Sequence, residues 1–190
     1  MCGRALLLLG LILATPAAAA PRPFVRVQGT RFMEGARPLH FLGANVGVMH
    51  GEEQHQGAVA TLRAAAADGI KVVRLWALGE GPANAPTWNQ RWQLWRAGPT
   101  GWLPHAPRHL DVVLAEAGRL GLRVIVVLAN HWSDFGGIPQ YLRWAGLGDG
   151  AGYGDLDRFF TDARTERAYQ EHLRRVVGRT STITGVRYAD

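Results

Sequence analysis

One unit occurs twice in this chain: an amphipathic run, a glycine, then a short apolar strand. Val59, Leu62, Ala66 and Ile70 recur at helical spacing around Gly69, and the run Gly69-Ile70-Lys71-Val72-Val73 opens a strand. Leu110, Val113, Leu114, Ala117 and Leu120 share one helical face over residues 108–120, and Gly121-Leu122-Arg123-Val124-Ile125 follows. Strands that alternate with amphipathic helices need crossover connections, so the repeat predicts right-handed βαβ units and a parallel sheet. The strands at residues 71–77 and 122–128 are near-continuous Val, Ile and Leu runs, the pattern of strands packed on both faces. An earlier core strand is predicted at Phe41-Leu42-Gly43-Ala44-Asn45. A last helix is predicted over residues 163–178, with Asp162 as N-cap and Tyr169, Leu173, Val176 and Val177 facing inward. Ahead of these, residues 24–41 alternate as one or two small hairpins suited to a cap. The fold class is therefore α/β, and three core strands with three helices are few for a complete sheet, so the N-terminal part of a larger domain is expected.

Residues 1–20 stand apart from that pattern. Arg4 gives a positive start, residues 5–14 are apolar, and Ala17 to Ala20 supply small residues for cleavage just before Ala19 or Ala20. The apolar stretch is shorter than the roughly 20 residues a membrane span needs. Residues 1–20 are thus expected to be a secretory signal peptide, the mature protein secreted or periplasmic, with no membrane attachment after cleavage. Cys2 is the single cysteine and lies in that segment, so neither disulfides nor thiol chemistry is expected afterwards. The formal charge of +6 comes from arginines scattered among acids rather than from a basic stripe, which argues against nucleic acid as a partner.

Ligands of parallel α/β sheets lie beyond the C-terminal strand ends, where this chain offers polar and aromatic groups. Arg74 and Trp76 end one strand, and Asn130-His131-Trp132 follow the next. All seven tryptophans fall between Trp76 and Trp144, with Trp88, Trp92, Trp95 and Trp102 in the long segment between those strands. Indole faces stack on the apolar faces of sugar rings, and neighbouring Asn, His and Arg bond hydroxyls, so the inventory fits a carbohydrate cleft. Packing of loops against the sheet is the expectation for Trp88, Trp92, Trp95 and Trp144. The alternative for Asn130 and His131 is a capped loop in which both bond backbone. Arg74 is expected as a buried cation that needs an acidic partner. Glu80 and Asp134, on the loops after these strands, are the candidates for that partner or for an acid and base, but both are expected at the rim of the cleft, because Gly-flanked loops hold catalytic carboxylates loosely. His50, Glu52, Glu53 and His55 superficially resemble a metal set, but the histidines are five apart rather than four, so a solvated loop is expected and no metal is assigned. Gly148, Gly150, Gly152 and Gly154 lack the helix of a phosphate loop, and no Gly-x-Ser-x-Gly nucleophile elbow occurs.

The ordered motifs resemble glycoside hydrolase family 5, in particular its endo-β-1,4-mannanase branch. They are Phe24-Val25-Arg26-Val27-Gln28-Gly29-Thr30-Arg31-Phe32, Leu42-Gly43-Ala44-Asn45 and Val73-Arg74-Leu75-Trp76-Ala77, then Leu128-Ala129-Asn130-His131-Trp132-Ser133-Asp134-Phe135-Gly136-Gly137 with Gln140-Tyr141. Phe159-Phe160-Thr161-Asp162 and Thr184-Gly185-Val186-Arg187-Tyr188-Ala189-Asp190 complete the set. The resemblance implies a (β/α)8 TIM barrel of about 250 residues, with this chain as its N-terminal part: about three βα units plus an N-terminal β-hairpin cap. Residues 21–190 would then be an incomplete catalytic domain. The implied activity is hydrolysis of internal β-1,4-mannosidic bonds in mannans with retention, by two glutamates about 5 Å apart acting as acid/base and nucleophile through a covalent glycosyl-enzyme. In that family the counterpart of Arg74 supports the nucleophile and that of Trp76 contacts substrate. Asn130 and Trp132 match positions facing the glycone side of the cleft, and His131 stands where the family often has a second Asn or a Tyr. The family's acid/base lies in an Asn-Glu-Pro motif on the fourth strand and its nucleophile on the seventh. Both are expected beyond residue 190, so no catalytic residue is assigned here and the 190 residues are expected to be inactive alone. The implied partner is β-mannan, with no cofactor. The alternatives are another β-glycanase of the family, such as a cellulase, and a noncatalytic carbohydrate-binding protein.

Overall fold

Short antiparallel strands come first. In this computed structural model, which describes residues 23–47, 55–87, 94–150 and 153–190, β1 (Val25–Gln28), β2 (Arg31–Glu34) and β3 (Arg37–Pro38) form a meander. Gln28 pairs with Arg31, leaving a two-residue turn at Gly29-Thr30 in which Gly29 takes φ +60°, a left-handed conformation that glycine adopts without steric cost. The signal segment of residues 1–20, the His50, Glu52 and Glu53 loop, the side chain of His55, and Trp88 and Trp92 lie outside the described residues.

The sheet that follows is parallel. It contains β4 (Gly43–Gly47), β5 (Val72–Trp76) and β8 (Arg123–Val127) in the order β4-β5-β8. Helix α1 (His55–Ala67) connects β4 to β5. Helix α2 (His105–Arg119), after the short parallel pair β6 (Glu80–Gly81) and β7 (Arg96–Ala97), leads to β8. Both helices end alike: Ile70 N–H donates to the Ala65 carbonyl at 3.0 Å and Leu122 N–H to the Ala117 carbonyl at 2.9 Å. Gly69 and Gly121 supply the left-handed residue at φ +81° and +75°. This is the Schellman closure that satisfies the last helical carbonyls, and it explains why each unit needs its glycine.

Alternation along the strands sorts the side chains. Val73 and Leu75 point to the helices and are buried with Ala58 and Leu62 of α1 and Leu110, Val113 and Ala117 of α2; Val46, Val124 and Val126 join them. Burial of each such Leu contributes about 1.5–3 kcal/mol. The opposite face carries Asn45, Arg74 and Ile125 abreast in the pairing register, and all three are exposed, Ile125 by 52%. The sheet is therefore covered on one face among the described residues, not on both as the apolar runs predict. The helices sit on one side only, so the middle of the other face, at Asn45, Arg74 and Ile125, is left open, while Val72 is buried and Trp76 is half-buried. The hairpin meets the sheet through an ion pair between Glu34 of β2 and Arg123 of β8.

Four helices close the described chain: α3 (Gly137–Trp144), α4 (Tyr153–Leu156), α5 (Arg158–Thr161) and α6 (Ala163–Val177). Ile138, Tyr141, Leu142, Leu156 and Phe159 form a second apolar cluster, with Tyr169 packed against it. Asp162 caps α6 as predicted, accepting from Arg164 N–H at 2.8 Å. The inward face of α6 differs from expectation at one end: Thr165, His172 and Val176 are buried, whereas Val177 is 45% exposed. One position past Val176, its side chain points away from the core stripe. After α6 the chain is tied to α2. Asp111, fully buried, accepts from Arg179 Nε at 2.8 Å, from the Thr182 hydroxyl at 2.7 Å and its N–H at 3.1 Å, and from the Tyr188 hydroxyl at 2.6 Å.

Candidate functional site

β5 and β8 end together, Trp76 opposite Val127, so Arg74 and Trp76 stand beside the segment that carries residues 130–132. Arg74 Nη1 donates to Asn45 Oδ1 at 3.0 Å. The cation is exposed, and its partner among the described residues is a neutral amide, which corrects the expectation of a buried guanidinium on a carboxylate. The reason is the open sheet face: water reaches Arg74, so no counter-ion is required. Trp76 is half-buried and meets Phe135 edge-on at 5.3 Å and 73°. Its indole Nε1 is buried without a hydrogen-bond partner among the described residues. Trp132 is 61% exposed, with the His131 ring edge-on at 5.1 Å.

Asn130 shapes its own loop. Its Nδ2 donates to the Asp134 carbonyl at 3.0 Å, its Oδ1 accepts from Trp132 N–H at 3.3 Å, and its carbonyl accepts from Ile138 N–H at 2.8 Å. These are the backbone bonds of the capped-loop alternative, so the amide fixes the presentation of Trp132. Phe135, Gly136 and Gly137 follow with φ of 58°, 93° and 56°, three successive left-handed residues. A Cβ on Gly136 would run into the carbonyl of Glu80, and one on Gly137 into the carbonyls of Trp132 and Asn130. Gly136→Ala is accordingly expected to destabilise the fold by about 1–3 kcal/mol through backbone strain, read as a lower urea midpoint at unchanged slope.

Glu80 is not at the rim. It is 2% exposed, with Tyr141 Oη donating to its Oε1 at 3.0 Å and Gly137 N–H to its Oε2 at 3.3 Å. Burial pushes its pKa up to about 7 against the pull of those two donors, the Gly79 backbone and the Arg96 charge. Asp134 is exposed, as a rim residue should be. Behind Glu80, Arg96 is buried between the Trp102 and Trp144 rings at 4.5 and 4.9 Å. Trp95 is 2% exposed, in keeping with a packing role. His172, fully buried, stacks on Trp102 at 5.9 Å with its Nε2 2.9 Å from the Ala77 carbonyl. Burial lowers its pKa to about 4, with the Arg96 charge adding and the Ala77 bond opposing. Sequence reasoning missed Glu80, Arg96 and His172 as a buried polar group; the one available signal was an acid between glycines immediately after an apolar run.

Glu80 and His172 titrate against each other. The folded state keeps His172 neutral below its unfolded pKa, so that group loses stability as pH falls from about 6.5 to about 4. It also keeps Glu80 protonated above its unfolded pKa, so that group loses stability as pH rises from about 4.5 to about 7. The slopes oppose between about pH 4.5 and 6.5. Glu80→Gln is expected to remove one of them, leaving a variant that loses on the order of 2–3 kcal/mol between pH 6.5 and 4.5 where the parent is nearly flat, as measured by urea unfolding.

The family model described as GH family 5 beta-mannosidase-like matches residues 22–190. Mannan endo-1,4-beta-mannosidase 1 of Oryza sativa subsp. japonica is 34% identical over 171 residues, covering 88% of this chain and 38% of its own length. Mannan endo-1,4-beta-mannosidase 5 of Solanum lycopersicum is 34% identical over 171 residues, covering 88% and 39%. The chain thus spans well under half the length of these curated relatives. Among solved structures, the endo-beta-1,4-mannanase from Thermotoga petrophila matches with a TM-score of 0.69 at 28% identity, over 82% of this chain and 33% of that one. The endo-1,4-beta-mannanase from Rhizomucor miehei shares the fold with a TM-score of 0.74 at 22% identity, over 88% and 45%. Matched by this model from residue 22 to residue 190, the chain belongs to glycoside hydrolase family 5, in its β-mannosidase-like group.

Proposed function

We propose that the chain is the N-terminal part of a (β/α)8 barrel enzyme that hydrolyses internal β-1,4-mannosidic bonds of mannans with retention. The acid/base and nucleophile glutamates would come from chain beyond these residues, so the 190 residues alone do not cleave substrate. Arg74, fixed by Asn45, is the positive group that supports the nucleophile, and Trp76, Asn130, His131 and Trp132 contact sugar, Asn130 also holding the loop of residues 130–134. Residues 1–20 direct export, placing the enzyme in the periplasm or outside the cell, where it meets β-mannan. The observation that carries this reading is Trp132: an indole 61% exposed beyond a strand end offers apolar surface to the C–H side of a sugar ring, in a chain related to mannanases. The test is hydrolysis of galactomannan and of carboxymethylcellulose by the protein extended through its reading frame past Asp190. Internal cleavage of the mannan, with none by the 190-residue chain, is expected. Cleavage of cellulose alone, or an extension lacking a glutamate after an asparagine on the next strand, would overturn it.

A further inference from the structure

Two elements separated by 57 residues in sequence meet at Glu80. Its N–H donates to the Phe135 carbonyl at 2.8 Å, and its carboxylate receives Gly137 N–H and Tyr141 O–H. Its carbonyl lies so close to Gly136 that no side chain fits there. Every one of these contacts falls on the C-terminal half of the loop whose N-terminal half is Asn130-His131-Trp132, or on the helix that this loop enters. Asn130 bonds Asp134 and Ile138 across the loop, so the two halves cannot shift independently.

We infer that Glu80 is a positioning residue for the sugar-contacting loop, its buried carboxylate fixing residues 135–137 and, through them, where Trp132 stands. The inference rests on the reading of residues 130–132 as a sugar contact. A carboxyl group suits the place because its two oxygens accept two donors of α3 at once, one backbone and one phenolic. Both donors are buried, so losing the acceptor leaves two unpaired polar groups that the loop can relieve only by moving toward water. Trp76 adds a second brace, since its ring packs edge-on against Phe135. The groups facing Glu80 are Tyr141 of α3, Arg96 of β7 and Tyr169 of α6. Gln at this position keeps an oxygen for Gly137 N–H and turns its amide toward the Tyr141 oxygen, so it should hold the loop where Ala cannot.

The test is hydrogen exchange on the 190-residue chain, with mannopentaose binding followed by tryptophan fluorescence on the same samples. Glu80→Ala should speed exchange of the amides at 137 and 138 by 10-fold or more while those of β5 stay unchanged, and should weaken mannopentaose binding about 5-fold or more. Glu80→Gln should restore most of both. Tyr141→Phe, which removes one donor and little volume, should speed the same two amides about 3-fold, and it decides the matter if Glu80→Ala does not fold. Loop exchange that is unchanged in these variants, or that rises only in step with β5, would overturn the inference. A parent chain that shows no saturable mannopentaose response, whatever its exchange pattern, would instead overturn the sugar-contact reading.

Discussion

Replacing Arg74 with alanine in the full-length enzyme is expected to lower kcat by about 10²–10³-fold with KM changed little, the size of effect seen when one preorganised donor is removed from a developing charge. The geometry explains the asymmetry. Arg74 projects from the middle of a paired strand, its guanidinium already oriented by Asn45 on the neighbouring strand, so no reorganisation is needed when charge develops beside it. Lysine should not rescue the loss, since an ammonium cannot hold the Asn45 bond and a carboxylate in one plane. Trp88→Ala is expected to change turnover little. Initial rates on a defined mannan oligosaccharide decide the point: equal losses for the two variants, or a loss confined to KM, would contradict the role given to Arg74.

Asp111→Ala should be the most damaging change for stability, at about 3–5 kcal/mol, because it strands a partly buried Arg179 together with the Thr182 and Tyr188 donors. In a domain of this size that is roughly a 10 °C fall in Tm. The same carboxylate gives a signed pH dependence. Burial alone would raise its pKa, but Arg179, Tyr188 and Thr182 together hold it below the ordinary carboxylate range. Its contribution is therefore present above that range and is lost as pH falls through the folded value. Thermal melts of parent and variant at neutral and acid pH should converge as the medium becomes acidic. Curves that stay parallel would rule out a charged Asp111 as the source.

The repeated units were legible because local chemistry enforces them: Gly69 and Gly121 stop two helices in the same way, and the strands start within a few residues of each. The aromatic tip at Trp76 and Trp132 was legible too, since strand ends follow from strand positions. What failed depended on which faces are covered. Arg74 reads as buried from an apolar run, yet its exposure is decided by helices packing on one side of the sheet only. Glu80 reads as a loop acid between glycines, yet α3 folds over it and donates Tyr141, a contact 61 residues away in sequence. His172 stands on α6 among charged neighbours and gives no local sign that its ring meets Trp102 and the carbonyl after β5.

The clamp on Asp111 also has a consequence in time. Its partners lie 68 to 77 residues further along the chain, so closing it costs the entropy of a long loop unless β8 and α3 to α6 have already drawn the two ends together. Contacts of that span are expected to form late, after the main barrier has been crossed. Interactions absent from the transition state slow unfolding without speeding folding. The segment after α6 is thus expected to act on the lifetime of the folded chain rather than on how fast it is reached: weakening the clamp should shorten the half-life of the native state while leaving the folding rate nearly as it was.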